Sequence, residues 1–388
     1  MIPSYTPNLI IGAGPAGLAI AGWLRHMDLP FEVIEKSDKI SYSWHNHYDR
    51  LCLHTVKQLS HLPHMAFPDD YPLYVPREKL VQYYEAYAEE FRINPHFNQE
   101  LTSLKRVNSE WIATTQDEKS IRADNVIIAT GVNRVPHEPT WPGQENFQGE
   151  IIHCRTYRNP LPFLGKKVLI VGFGNTGAEI ALDLSENKVP PVISVRGEVN
   201  IVPRDLNGRP VQLTARKLAK LPFGMGEKLG NFIRRRYIGD MSKYGLRMSK
   251  LSPTEQLKKT GKTPVIDLGT VGHIKGGKIT VRPNIKRFIE NGVEFENGSI
   301  ERFDVILLAT GYRPVIDDFM ESTENLLDQY GCPKSPIGEG PHKNLYFLGF
   351  DNYKLGGILG TIFADSELIA HTIRDRSYEQ STQELASS

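Results

Sequence analysis

The apolar positions along this chain fall in short continuous runs rather than in strict alternation, and glycine-rich turns separate the runs. Residues 8–11 (NLII) lead into Gly12-Ala13-Gly14-Pro15-Ala16-Gly17, then into an apolar-striped stretch through residue 24. A second run, residues 31–34 (FEVI), ends at Glu35. Continuous runs of this length predict strands buried on both faces, and the striped stretch predicts an amphipathic helix, so the segment reads as a parallel βαβ unit. The pattern recurs at residues 167–171 (KVLIV), Gly172-Phe173-Gly174-Asn175-Thr176-Gly177, a helix through about residue 184 and a strand at 192–195. Each unit is followed by one more continuous apolar run, at residues 125–129 before Thr130-Gly131 and at residues 304–309 before Thr310-Gly311.

Two such units predict an α/β chain with two Rossmann-like dinucleotide-binding domains. The expected layout is discontinuous, with one domain over 1–159 and 311–388 and the other, 160–310, inserted into it. Residues 41–80 are rich in His, Tyr and Pro and predict loops and short helices. Residues 205–260 are basic and helix-prone; Arg234-Arg235-Arg236 reads either as a phosphate contact or as a solvated helix face. The polar tail after Arg374 is expected to fray.

Composition adds bounds. The chain has 388 residues, too many for one ordinary core. A hydrophobic share of 40%, a charged share of 23% and a net charge of +1 are those of a globular protein, with no pull toward nucleic acid. Cys52, Cys154 and Cys332 lie far apart, which disfavours a zinc site or a redox-active dithiol and suits a reducing compartment. No run approaches the ~20 apolar residues that span a bilayer, and no signal peptide is evident. A cytoplasmic protein is expected, and no metal site, since the scattered histidines lack ligand spacing.

At the first fingerprint Gly12 permits the tight turn, Gly14 admits a pyrophosphate against the backbone, and Gly17 lets helix and strand pack closely. Pro15 and Ala16 open the helix whose N-terminus faces the phosphates. Glu35 stands where an acid accepts ribose hydroxyls; Lys36, Trp44 and Gly131 complete the expected FAD set. At the second fingerprint (Gly172, Gly174, Asn175, Thr176, Gly177) the following strand ends on Arg196 instead of an acid, which suits the 2′-phosphate of NADPH. Arg204, Thr310 and Gly311 are further NADPH candidates. Two such sites imply hydride transfer from nicotinamide to flavin and onward to a third party. Without a dithiol, O2 is the simplest acceptor. Monooxygenase, NADPH oxidase and a non-catalytic NADPH- or O2-sensing flavoprotein all remain open at this point.

Phe147-x-Gly149-x-x-x-His153-x-x-x-Tyr157, ahead of the second fingerprint, resembles the identifying motif of class B flavin-containing monooxygenases. Tyr48-Asp49-Arg50-Leu51-x-Leu53-His54, Val202-Pro203-Arg204, Lys243-Tyr244-Gly245-Leu246-Arg247 and Gly261-Lys262-Thr263-Pro264-Val265-x-Asp267 resemble the YUCCA branch, the indole-3-pyruvate monooxygenases. The resemblance spans about residues 8–372. It implies FAD and NADPH as cofactors, a C4a-(hydro)peroxyflavin formed with O2, and oxidative decarboxylation of a 2-oxo acid. The alternatives are broad N- or S-oxidation and Baeyer–Villiger chemistry. His54 stands where broad-specificity members carry Asn. His54 and Lys57 are the catalytic candidates, positioning peroxide or a substrate carboxylate. A small-molecule substrate and O2 are the expected partners, with a homodimer as candidate assembly and neither nucleic acid nor membrane.

Overall fold

The computed structural model describes residues 2–218, 225–350 and 357–387. They form two compact units. The first comprises Met1–His45, Thr55–Val135 and Tyr312–Ser388; the second comprises Asn46–His54 and Pro136–Gly311.

In chain order the first unit supplies β1 (Tyr5–Ile11), α1 (Pro15–His26), β2 (Glu32–Ile34), α2 (Arg77–Glu90), β3 (Leu101–Val107), β4 (Glu110–Thr115) and β5 (Ser120–Ile128). The second supplies β6 (Glu150–His153), β7 (Val168–Val171), α3 (Asn175–Glu186), β8 (Val192–Ser194), β9 (Thr280–Arg282) and β10 (Val305–Leu308). The chain then returns to the first unit with β11 (Leu345–Phe347) and α4 (Gly357–Ser387).

The sheet of the first unit runs β2-β1-β5-β4-β3, and β11 joins the far half of β5. β1 lies parallel to both β2 and β5, with Ile10 opposite Val33 and Ile127. Leu9, Ile11, Val126 and Ile128 face one core with Leu345 and Phe347. α1 is buried nearly all round and packs on α4. Pro15 at its first position presets the helical φ, and Arg25 and His26 sit in its last turn, where the helix dipole favours cations.

The sheet of the second unit runs β9-β8-β7-β10-β6 and is parallel throughout. Val168 and Ile170 point into one core with Ile180 and Leu184 of α3. Leu169 and Val171 point into another with Phe288 and Phe295. Strands covered on both faces explain why the sequence shows continuous apolar runs instead of alternation. Truncating such a side chain to Ala typically costs about 2–5 kcal/mol.

Three features differ from expectation. Residues 136–159 belong to the second unit, not the first, because Glu150–His153 pairs along Val305–Leu308 as the edge of that sheet. Residues 46–54 also fold with the second unit. The tail is helical through Ser387: beyond Arg374 it holds strong helix formers and neither Gly nor Pro.

Candidate functional site

Both fingerprints sit where a parallel strand ends and a helix begins, Gly12–Gly17 between β1 and α1, Gly172–Gly177 between β7 and α3. Gly12 and Gly172 adopt φ of 108° and 110°, a region that a side chain strains. A Cβ on Gly17 would overlap the carbonyl oxygen of Gly12, and one on Gly177 that of Gly172. A Cβ on Gly14 or Gly174, by contrast, meets nothing within 4 Å. Those two open positions are the N-caps of their helices, and neither has a side-chain cap among the described residues. Backbone N–H groups of each first turn are thus left for an anion, so the residues present fit a dinucleotide diphosphate at each fingerprint.

A shallow depression of ≈ 570 Å³ lined by Gln148, Lys167, Arg302 and Asp304 lies at the N-terminal ends of β7 and β10. That is the opposite edge of the sheet from Gly172, and ligands of such sheets bind at the carboxyl ends of the strands.

In the first unit Glu35 is fixed in place. Its Oε2 accepts the Ala13 N–H at 2.7 Å, and its Oε1 accepts the Ser37 N–H at 2.9 Å and the Ser37 hydroxyl at 2.7 Å. Oε2 keeps a lone pair for a ribose hydroxyl. Pro15 and Ala16 occupy the first turn of α1 as expected. Lys36 is exposed and lies 3.9 Å from Glu100, a surface pairing. Trp44 lies in the one-turn helix Tyr42–His45 with its ring 6.2 Å from that of Tyr84. Gly131 has a φ of 75° just beyond β5. Lys57 donates from Nζ to the carbonyls of Pro68, Asp69 and Tyr71 at 3.3, 2.9 and 2.8 Å. The three ammonium donors are committed to that loop, so Lys57 holds backbone here rather than presenting a charge to a ligand.

In the second unit Asn175 bridges to the strand of its TPV motif. Its Oδ1 accepts the Ile266 N–H at 2.7 Å and its Nδ2 donates to the Pro264 carbonyl at 3.4 Å. Thr176 is half-buried in the first turn of α3. Arg196 is exposed just past β8, and its carbonyl accepts from Arg247 Nη2 at 2.6 Å, which brings a second exposed guanidinium beside it. Arg204 is paired with Asp205 at 3.0 Å. Thr310 donates to the His137 carbonyl at 2.5 Å, and the Gly311 carbonyl accepts the His137 N–H at 2.9 Å. Arg234, read from sequence with Arg235 and Arg236 as either a phosphate contact or a solvated helix face, is buried against Asn200, whereas Arg235 and Arg236 are exposed.

The FxGxxxHxxxY motif is architectural. Phe147 stacks edgewise on Phe288, and a Cβ on Gly149 would overlap the Phe147 ring and the Asp304 carbonyl. His153 Nδ1 accepts the Arg155 N–H at 3.1 Å while Nε2 lies 3.1 Å from the Gly311 carbonyl. Burial holds this imidazole below its ordinary titration range, against the pull of that carbonyl. Tyr157 donates to Asp183 on α3 at 2.7 Å.

Segment 46–54 docks on the same helix. Tyr48 donates to Glu179 Oε2 at 2.8 Å, and His54 Nε2 lies 3.0 Å from that same oxygen. Arg50 pairs with Asp183 at 3.3 Å and with Glu186 at 2.8 Å. Glu179 and Asp183 stand one helical turn apart on the buried face of α3 and each receives two donors. Sequence reasoning missed both acids and Arg247. The signal was present: two acids four residues apart on the apolar stripe of a short helix are misplaced unless something pairs with them.

A family model for flavin-binding monooxygenase-like proteins matches residues 9–329. A probable indole-3-pyruvate monooxygenase, YUCCA3 of Arabidopsis thaliana, is 36% identical over 392 residues, 97% of this chain and 88% of that protein. Indole-3-pyruvate monooxygenase YUCCA1 of Oryza sativa subsp. japonica is 36% identical over 359 residues, 91% of this chain and 88% of that protein. Among solved structures, a flavin-containing monooxygenase from Stenotrophomonas maltophilia superposes with a TM-score of 0.73 at 18% identity, covering 97% of this chain and 100% of that one. With its paired glycine cradles and the motif between them accounted for, the chain belongs to the flavin-binding monooxygenase-like family.

Proposed function

We propose that this protein is an FAD- and NADPH-dependent monooxygenase that converts indole-3-pyruvate, or a 2-oxo acid of that class, to the acid one carbon shorter. The observation that carries the reading is the 36% identity to an indole-3-pyruvate monooxygenase across 91% of the chain. The reaction balances as 2-oxo acid, O2, NADPH and a proton giving the shortened acid, CO2, water and NADP+. When bound, flavin supplies the relay of two electrons between nicotinamide and O2.

The chain's own residues hold and orient. Gly12, Gly14 and Gly17 admit one diphosphate to the backbone of α1, and Glu35 orients its ribose through the free lone pair on Oε2. Gly172, Gly174 and Gly177 do the same at α3, where Arg196 supplies the charge for a 2′-phosphate. Arg204 has its guanidinium on Asp205 and serves that site less directly. His54 is the side chain assigned to position the reacting oxygen or the substrate carboxylate. Lys57 is given a loop-holding role, because its donors are on carbonyls. The first unit is assigned to FAD and the second to NADPH. A homodimer and a cytoplasmic location complete the reading; light scattering and cell fractionation test them. Among the described residues no helix is long and apolar enough to cross a membrane.

The test is stoichiometry. Purified protein with FAD, NADPH and indole-3-pyruvate should consume NADPH and O2 and release CO2 and indole-3-acetate in equal amounts. Product from a sulfide or amine with no CO2 from any 2-oxo acid moves the activity to heteroatom oxidation. Complete conversion of O2 to H2O2 under all conditions makes the protein an NADPH oxidase.

A further inference from the structure

We infer that Glu179 is a positioning residue for His54: it fixes which ring nitrogen of His54 carries the proton and leaves the other as an acceptor. This deepens the function proposed above and rests on the assignment of His54 to the reaction.

The argument starts from the oxygen that two donors share. Glu179 Oε2 is 2.8 Å from the Tyr48 hydroxyl and 3.0 Å from His54 Nε2, and the Glu179 side chain is 3% exposed. Burial, reinforced by the charge of Glu179, pushes the Tyr48 phenol well above its ordinary range, so Tyr48 keeps its proton and donates. A carboxylate is an acceptor only, hence Nε2 must also donate, and in the neutral form of the ring the single proton sits there. Nδ1 then bears a lone pair, and it has no hydrogen-bond partner among the described residues. A buried carboxylate that orients an imidazole in this way sets the tautomer and aims the opposite nitrogen. The His54 side chain is 16% exposed, so the ring is held but not sealed.

A plain structural clip is the competing account, and the surrounding contacts decide against it. Segment 46–54 is already fastened to α3 by Arg50 on Asp183 and Glu186, and to residues 158–159 by Arg158 on the His47 carbonyl and Asn159 on Asp49. Tyr48 alone would satisfy Oε2 as a clip. The second donor on that oxygen adds little to docking and instead determines the orientation of the ring. Acid, phenol and imidazole lie on one helix and one short segment of the same compact unit, so the arrangement does not depend on where the other unit stands.

The test has two readouts, one of which needs no cofactor. Nitrogen NMR of 15N-histidine-labelled protein at about pH 8 should show His54 protonated on Nε2; Glu179→Leu should release that preference and let the Nδ1–H form appear, because no acceptor is left opposite Nε2. In the FAD-loaded enzyme, Glu179→Leu should lower product formed per NADPH about tenfold while KM for NADPH moves less than about twofold. In a His54→Ala background the same substitution should change the product yield no further, since coupled effects are not additive. An Nδ1–H tautomer in the wild type overturns the proposal. So does an effect of Glu179→Leu that is equally large without His54. Should Glu179→Leu fail to fold, Tyr48→Phe keeps the proposal open to test: it must leave the Nε2–H signal in place. Failure of the wild type to release CO2 from indole-3-pyruvate sinks the substrate reading alone, because the tautomer and the non-additivity, read then as H2O2 formed per NADPH, still judge Glu179.

Discussion

The hydroxyl of Tyr157 donates a 2.7 Å hydrogen bond to Oδ2 of Asp183, joining the last residue of the motif that precedes the second fingerprint to the helix that follows it. Burial lifts the Asp183 carboxyl above its ordinary range, with the Tyr157 hydrogen bond and Arg50 pulling the other way. Removing one donor leaves a buried carboxylate oxygen unpaired, at a cost of about 1–3 kcal/mol. Tyr157→Phe should therefore lower the melting temperature measurably while leaving the affinity for NADPH in place. An unchanged melting curve would mean that Arg50 alone satisfies Asp183.

Two glycines of the first fingerprint should separate folding from cofactor binding. Gly17→Ala drives a methyl into the Gly12 carbonyl, so the protein should fail to accumulate in soluble form. Gly14→Ala meets no protein atom within 4 Å, so it should fold but occupy the space a diphosphate needs. The check is flavin absorbance per protein after purification. Full FAD content in Gly14→Ala would remove Gly14 from the cradle.

These glycines were legible in the sequence because their constraint is local: a positive φ at Gly12 or a backbone approach at Gly17 leaves few other residues possible. The buried strands were legible for the same reason, since a run such as VLIV has no polar face to expose. Glu179 was not, because its partners Tyr48 and His54 lie 131 and 125 positions earlier in the chain. On the helix alone it reads as an acid out of place on the apolar stripe, with nothing nearby to name its partners. Lys57 failed in the opposite direction: an ammonium on a flexible stem looks equally suited to a substrate carboxylate and to the three loop carbonyls it actually holds. Arg234 reads as a phosphate contact or a solvated position because nothing local marks a charge that a distant Asn200 receives in the interior.

His153 gives the second unit a dependence on mildly acidic pH. Its imidazole titrates below the ordinary 6.5, chiefly because burial disfavours the charged ring. A depressed folded value means that its stabilisation is present above the unfolded value and is lost as pH falls through the folded one. Protonation also ends the bond in which Nδ1 accepts the Arg155 N–H. Stability should therefore fall below about pH 6.5, with a slope from this group of at most about 1.4 kcal/mol per pH unit. Thermal unfolding at about pH 7.5 and 5.5 should show a larger drop in the wild type than in His153→Gln. Equal drops would assign the acid sensitivity to other groups.

Arg196 should carry the preference for a phosphorylated nicotinamide cofactor. It stands exposed just beyond β8, where an acid would select the unphosphorylated ribose, and its carbonyl tethers Arg247 beside it. Charge-assisted hydrogen bonds to a phosphate contribute about 1.5–3 kcal/mol each, roughly a 10- to 100-fold change in affinity. Arg196→Gln should raise KM for NADPH by that factor and leave KM for NADH within about twofold, since NADH has no group for the guanidinium to meet. Arg247→Gln should produce a smaller shift of the same sign, because Arg247 keeps only part of its fork for a ligand once Nη2 donates to the Arg196 carbonyl. Binding of 2′-phospho-AMP by calorimetry isolates the effect from turnover. It should weaken in both variants and fall off with salt, as an exposed charge pair does. A parallel loss for NADPH and NADH would instead mean that Arg196 shapes the strand end as a whole, and that the 2′-phosphate is recognised elsewhere.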